Sequence, residues 1–243
     1  MYKIITLFIL FIVSPILSAN VTLLENFNKE DFLKPKISKN EILFSKIIAN
    51  LEGEHQIQNP EVIQFAIAGY YNLLEEGAIK SGTPLSIIDF SLPSSTERLW
   101  IIDIEEGKLL HHSLVSHGRN SGGLMAKEFS NVNSSFMSSI GFYVTGETYQ
   151  GKHGYSLRLD GVEKGFNHNA RKRAIVIHGA DYANEDFVKT TGRLGRSLGC
   201  PALPMDSYKE IIDTIKEKSC LFIYGEDQTY LNKSTLINHL VKI

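Results

Sequence analysis

Ala174-Ile175-Val176-Ile177-His178-Gly179, then a loop, then Gly195-Arg196-Ser197-Leu198-Gly199-Cys200-Pro201, is the stretch around which the chain is organised. The first part is an apolar, β-branched run of the kind that forms a buried strand, and it ends on a histidine. The second part is a glycine-punctuated turn that presents a cysteine. A thiol needs a base within hydrogen-bond reach to act as a nucleophile near neutral pH. A strand end and a tight turn are rigid means of holding His178 and Cys200 together.

Outward from this stretch the chain reads as short strands. The candidates are Ser86–Phe90, Leu99–Ile104, Lys108–Ser116, Gly141–Val144, Tyr155–Leu159, Ala174–His178 and Cys220–Tyr224. Gly107 supplies a turn between the second and third of these, which predicts a hairpin. Asp206 is read as the cap of one late helix with Ile211, Ile212 and Ile215 on one face. Many short strands with few helices predict a β-rich domain, barrel-like or sandwich-like. From His117-Gly118-Arg119-Asn120-Ser121-Gly122-Gly123 to Ser138-Ser139 runs a long loop rich in glycine and serine. Loops this long in compact domains are usually functional or mobile, and it is expected to rim the cleft.

The N-terminal side reads as helical. Asn40 precedes Ile42, Leu43, Ile47, Ile48 and Leu51 at helical spacing, with Gly53 as a stop. Asn59-Pro60 opens a second helix, with asparagine as cap and proline at the first helical position. Its apolar face is Val62, Ile63, Ala66, Ile67, Tyr70, Leu73 and Leu74, and Gly77 ends it. The tail predicts at most a short helix around Leu236–Val241.

Composition excludes several classes. The 243 residues are 43% hydrophobic and 21% charged, ordinary values for a globular domain with, at most, a small appendage. A net charge of −2 leaves no electrostatic footprint for a nucleic-acid partner. Two cysteines are too few for a disulfide-built scaffold. Cys220 opens the apolar run Leu221-Phe222-Ile223-Tyr224 and reads as a small buried hydrophobe, so both thiols are expected to be free. Lys3, the apolar run Ile4 to Leu17 and then Ser18-Ala19 match a secretory signal peptide cleaved near Ala19. A bilayer span takes about 20 residues, so Pro15 and the shorter run argue against an uncleaved anchor. An exported protein with no integral span after cleavage is the expectation.

The chemistry follows from the pair. His178 ends an apolar strand where a polar side chain would otherwise be out of place. Gly199 lets the backbone approach a substrate closely, and the N–H groups of Gly199 and Cys200 are placed to form an oxyanion hole, whose loss typically costs about 10²–10³ in rate. An imidazolium neighbour lowers a thiol pKa from about 8.5 to roughly 3.5–7.5, so a thiolate paired with protonated His178 is the expected attacking species. The other histidines read as structural or loop residues: His111 and His112 in a strand, His117, His153 and His168 in turns, His55 and His239 outside the core pattern. Neither His-x₃-His nor His-Glu-x-x-His spacing is present, so no metal site and no cofactor are expected.

His178-Gly179…Ser197-Leu198-Gly199-Cys200 resembles the His-Gly…Ser-x-Gly-Cys signature of the L,D-transpeptidase catalytic domain, often called YkuD-like. The segments Asp89-Phe90-Ser91, His117-Gly118-Arg119-Asn120-Ser121-Gly122, Phe129-Ser130-Asn131, Tyr155-Ser156-Leu157-Arg158-Leu159 and Gly195-Arg196-Ser197-Leu198-Gly199-Cys200-Pro201-Ala202 resemble its divergent branch, the murein L,D-transpeptidase catalytic domain proteins. The resemblance covers roughly residues 60–225. It implies an L,D-transpeptidase-like β-sandwich or barrel in the bacterial periplasm or envelope, acting on peptidoglycan stem peptides as donor and acceptor. By position, Cys200 matches the nucleophile, His178 the base, and Ser197 and Gly199 the residues that shape the turn. Leu198 stands where the family usually has histidine, and Ala202 where it has a basic or amide residue. Arg196 or Arg193 is therefore expected to bind the substrate carboxylate, with His117, Ser139 and Gly179 as further substrate contacts. The implied reaction releases terminal D-alanine through a Cys200 thioester and forms a 3→3 cross-link between diaminopimelates. An L,D-carboxypeptidase using the same site, or a wall-binding module without turnover, are the alternatives. The expected organisation is a signal peptide over 1–19, a helical appendage over 20–84, the catalytic domain over 85–226 and a tail over 227–243.

Overall fold

In the computed structural model, which describes residues 39–51 and 53–238, the apolar runs become eight strands of one sheet. They are β1 (Leu85–Asp89), β2 (Leu99–Ile102), β3 (Leu109–Ser113), β4 (Gly141–Gly151), β5 (Gly154–Gly161), β6 (Val176–Gly179), β7 (Ala202–Leu203) and β8 (Cys220–Tyr224). The order across the sheet is β3-β2-β1-β8-β4-β5-β6-β7. β1 runs parallel to β8 and β6 parallel to β7, while the other neighbours are antiparallel. Just past β3, the Ser116 N–H donates to the Ala202 carbonyl of β7 at 2.9 Å. The two ends of the sheet therefore meet and the barrel nearly closes. The fold is β-rich with few helices, as the strand pattern predicts.

β1, β2 and β8 are buried at every residue, which is why their sequences are near-continuous apolar runs rather than alternating ones. At the centre, Phe142 of β4 stacks on Phe222 of β8 with ring centroids 4.3 Å apart.

Two helices precede the sheet, α1 (Lys39–Asn50) and α2 (Pro60–Glu75). The Asn59 side chain accepts the Glu61 N–H at 3.1 Å and Pro60 takes the first turn, as the sequence predicts. The buried face of α2 is the expected one, and it packs on β1 and β8 within the same core as the strands. Gly69 is the closest point. A Cβ built there would lie 2.0 Å from the Phe142 ring, and that ring is itself clamped against Phe222. Gly69→Ala is thus expected to force the helix off the sheet. Overpacking of about 1–3 kcal/mol outweighs the roughly 1 kcal/mol gained in helix propensity, so the urea midpoint should fall.

Four further helices follow: α3 (Glu185–Thr191), α4 (Tyr208–Ile215), α5 (Gln228–Lys233) and α6 (Thr235–Asn238). α3 lies in what reads as loop, yet it carries its own signals. The Asn184 side chain accepts the Phe187 N–H at 2.8 Å, and Gly192 closes the helix at φ 76°. α4 forms where expected, but its cap position is Ser207, which makes no capping bond, rather than Asp206. Its first turn is held by the Tyr208 N–H on the Pro204 carbonyl at 3.0 Å. β4 is longer than predicted because its polar outer half pairs with β5 across the Gly151–Gly154 turn. β7 is only two residues long and too short to show a period.

The tail is anchored by Glu163, whose buried carboxylate accepts from the Phe142 N–H at 2.7 Å, from the Tyr230 hydroxyl at 2.9 Å and from Ser234. The expected helix over Leu236–Val241 overlaps α6, and its remainder, with His239, lies outside the described residues. The signal-peptide region and the lead-in up to residue 38 also lie outside them. Among the described residues, no helix is long and apolar enough to cross a membrane.

Candidate active site

The parallel pairing of β6 with β7 brings the strand end that carries His178 next to the turn that carries Cys200. In the β6–β7 pair His178 opposes Ala202, so Cys200, two residues earlier, falls beside Val176. The sulfur lies 3.7 Å from the Ala174 carbonyl, to which the thiol donates, and faces the Val176 N–H. Ala174 has a left-handed backbone, φ 56°. Such a conformation costs a non-glycine residue about 1–3 kcal/mol, and here it turns the chain into β6 with its carbonyl against the sulfur.

Ser197 locks the cysteine turn. Its hydroxyl donates to the Cys200 carbonyl at 2.6 Å and accepts the Gly199 N–H at 3.0 Å. The Gly199 N–H is therefore engaged within the turn, not offered to a substrate oxygen, which corrects the expectation of a two-donor oxyanion hole from Gly199 and Cys200. Only glycine fits at 199: its φ is 122°, and a Cβ would stand 2.8 Å from the Met137 carbonyl.

The long loop rims this turn as predicted. The Ser197 N–H donates to the His117 carbonyl at 3.0 Å and the Arg119 N–H to the Ser197 carbonyl at 2.8 Å. Ser138 accepts the Gly118 N–H at 3.0 Å and donates to the Gly199 carbonyl at 3.3 Å.

The residues read as substrate contacts fare differently. His117 is fully buried, and its Nδ1 accepts from Arg98 at 2.8 Å while its ring meets Phe90 edge-on. Its Nε2 points toward the carbonyls of Gly122 and Gly123 without forming a full hydrogen bond. Ser139 is also buried, holding the Tyr143 hydroxyl and Arg173, each at 3.0 Å. Gly179 is pressed against Tyr208 and Met205. Arg193 donates to the Leu194 carbonyl at 2.6 Å. Arg196 is exposed and ties the turn to the loop through the Gly122 carbonyl at 2.9 Å. Of these, Arg196 alone combines exposure with a place on the cysteine turn.

The structure adds two residues that spacing does not reveal. Arg173 lies beside Cys200 and donates to Ser130 and Met137 carbonyls at 2.6 and 2.7 Å and to the Ser139 and Ser135 hydroxyls at 3.0 and 3.2 Å. One guanidinium thereby gathers the loop around the thiol. His153, at the tip of the β4–β5 hairpin, stacks on the His178 ring with centroids 4.3 Å apart. The only sequence signal for Arg173 is its place just before the strand that carries His178.

His178 is buried, and its Nδ1 donates to its neighbour's carbonyl, Gly179 O, at 2.9 Å. A carbonyl only accepts, so the proton sits on Nδ1 and Nε2 keeps the lone pair. Burial lowers the His178 pKa, opposed by the Gly179 carbonyl and reinforced by His153. Burial raises the Cys200 pKa, opposed by the Val176 N–H and by Arg173. No hydrogen bond joins the two side chains among the described residues. Desolvation thus disfavours the charge on each group, which favours a neutral thiol and a neutral imidazole where residue types alone point to a thiolate–imidazolium pair. Alkylation of Cys200 by iodoacetamide should accelerate with pH to a midpoint above that of a free cysteine.

Cys200 and Cys220 are both unpaired. Cys220 is wholly buried in β8, a packing residue as its apolar context implies.

With the geometry in hand, the comparisons decide the family. A family model described as the L,D-transpeptidase catalytic domain matches residues 54–224, more than half of the chain. The chain belongs to the L,D-transpeptidase catalytic domain family. The matched span holds every residue of the candidate site described above. Similar solved structures include an L,D-transpeptidase from Mycobacterium smegmatis, at 13% identity and a TM-score of 0.36, covering 58% of each chain. Another is an L,D-transpeptidase from Mycobacterium tuberculosis H37Rv, at 12% identity and a TM-score of 0.37, covering 59% of this chain and 58% of that one. A helical cell-shape-determining protein from Campylobacter jejuni is similar at 13% identity and a TM-score of 0.37, over 66% of this chain and 54% of that one. No curated protein matches the sequence.

Proposed function

We propose that this chain is a cysteine L,D-transpeptidase of peptidoglycan, with Cys200 as nucleophile and His178 as base. The observation that carries the reading is the Ser197–Cys200 turn, locked through one hydroxyl and leading into β7, which pairs with the strand whose His178 keeps its Nε2 lone pair available. Family membership over that same span supports it.

In the proposed reaction the Cys200 sulfur adds to the carbonyl at the L-centre of diaminopimelate in a tetrapeptide stem, and the thiol proton passes to His178 Nε2. Because the resting pair is neutral, proton transfer accompanies attack rather than preceding it. The Cys200 N–H is the donor left for the oxyanion, since Gly199 donates to Ser197. Breakdown expels D-alanine, which takes the proton from His178, and leaves a thioester on Cys200. The side-chain amine of a second diaminopimelate then attacks the thioester, loses its proton to His178 and frees the thiol, giving a 3→3 cross-link. Arg196 on the rim is the proposed carboxylate contact, and exposed Leu198 is the apolar one. An exported protein cleaved near Ala19, with the helical segment, catalytic domain and tail divided near residues 84 and 226, is part of the same proposal.

The test is incubation with a defined tetrapeptide muropeptide, with and without an acceptor amine. A cross-linked product that depends on the acceptor is expected. Tripeptide alone under both conditions would make the protein an L,D-carboxypeptidase, and an unchanged tetrapeptide would refute both readings.

A further inference from the structure

Away from the thiol, the fold brings together His55, Glu97 and His112, which no spacing in the sequence connects. His55 ends the 3₁₀ turn Gly53–His55 between α1 and α2, Glu97 precedes β2, and His112 lies on β3 opposite Trp100. His55 Nδ1 stands 3.0 Å from His112 Nδ1, which stands 3.1 Å from a Glu97 carboxylate oxygen. We propose that these three side chains bind a divalent transition-metal ion of the zinc class, fastening the helical segment to the β3 end of the sheet.

Proton arithmetic favours a cation over hydrogen bonds alone. Two ring nitrogens and a carboxylate oxygen converge, so hydrogen bonding leaves the His112 Nδ1 proton shared between the His55 nitrogen and the Glu97 oxygen in one bifurcated bond. A metal ion accepts a lone pair from each. With Zn–N and Zn–O bonds of about 2.0–2.2 Å, tetrahedral ligand atoms stand roughly 3.3 Å apart, so the His55–His112 and His112–Glu97 separations need open by only a few tenths of an ångström, all three ligand atoms lying within 4.8 Å of one another. Paired imidazoles select zinc-class ions, whereas calcium and magnesium favour all-oxygen shells.

The ligands are also held in place. Trp100 donates its indole N–H to the His55 carbonyl at 2.7 Å and stacks on the His112 ring at 4.9 Å. One tryptophan thereby positions both histidines. The His112 side chain is 5% exposed and that of Glu97 47%, so the cluster is anchored on one side and open to water, a fourth ligand, on the other. The proposal is independent of the role of Cys200.

The experiment uses the full chain with Cys200→Ser, to remove a competing thiolate, stripped with chelator and then titrated with Co²⁺ by visible absorption and Zn²⁺ by calorimetry. One equivalent bound, with a Zn²⁺-dependent rise in Tm, is expected. His55→Ala changes an exposed side chain, and Glu97→Gln is close in shape. Each should weaken binding at least about tenfold, the size of a lost supporting contact or more, and remove the Tm shift. Less than half an equivalent bound, or parent-like affinity in both variants, overturns the proposal. So does affinity that follows His153→Ala instead, since that places the ion at the His153–His178 pair.

Discussion

Cys200→Ser is expected to leave no acyl-enzyme in the mass spectrum after incubation with a tetrapeptide muropeptide, and to reduce turnover by about 10⁴-fold or more, as loss of a nucleophile does elsewhere. The physical reason lies in the surroundings. The sulfur faces the Ala174 carbonyl and the Val176 N–H in a half-buried niche. A serine hydroxyl there has a far higher pKa than a thiol, and His178 Nε2 is too weak a base to compensate. The turn should survive, because its own bonds run through Ser197 and the backbone of residues 199 and 200. An unchanged urea midpoint beside lost acylation would therefore separate chemistry from folding. Full activity in the serine variant would remove Cys200 from the mechanism.

His178→Gln is expected to lower kcat by about 10²–10⁴, the range for loss of a positioned acid–base group, with KM little changed. Glutamine can reproduce the bond to the Gly179 carbonyl but offers no basic nitrogen in the Nε2 position. The pH dependence gives a second readout. Burial lowers the His178 pKa, so the imidazole stays neutral, and able to accept a proton, below its ordinary value of about 6.5. In the parent the acid limb of kcat/KM should therefore fall at a pH below that value, and in the glutamine variant that limb should vanish. A parent limb above the ordinary imidazole value would mean that an ion pair, not a neutral dyad, is the resting state.

The strands, the Asn59-Pro60 helix start and the strand end and glycine turn that carry His178 and Cys200 were legible from residues alone. Each rests on local physics: a β-branched run must be buried, proline fits the first helical turn, and glycine alone accepts φ 122° against a carbonyl. The family signature lies in these same local segments, so it too reads directly. α3 and β7 are harder, since a short helix within a loop and a two-residue strand carry too few positions for a period.

Whatever depends on which distant segments meet was decided by the tertiary structure. The Gly199 N–H reads as a free donor until Ser197 is seen to take it. His117 and Ser139 look like loop polar groups until the barrel buries them. Arg173 gains its place beside the thiol only when the loop folds over it, and His55, Glu97 and His112 meet only across separate strands and turns. Desolvation belongs to this class as well. Residue types at positions 178 and 200 imply an ion pair, but burial, which no linear pattern encodes, pushes both groups toward their neutral forms.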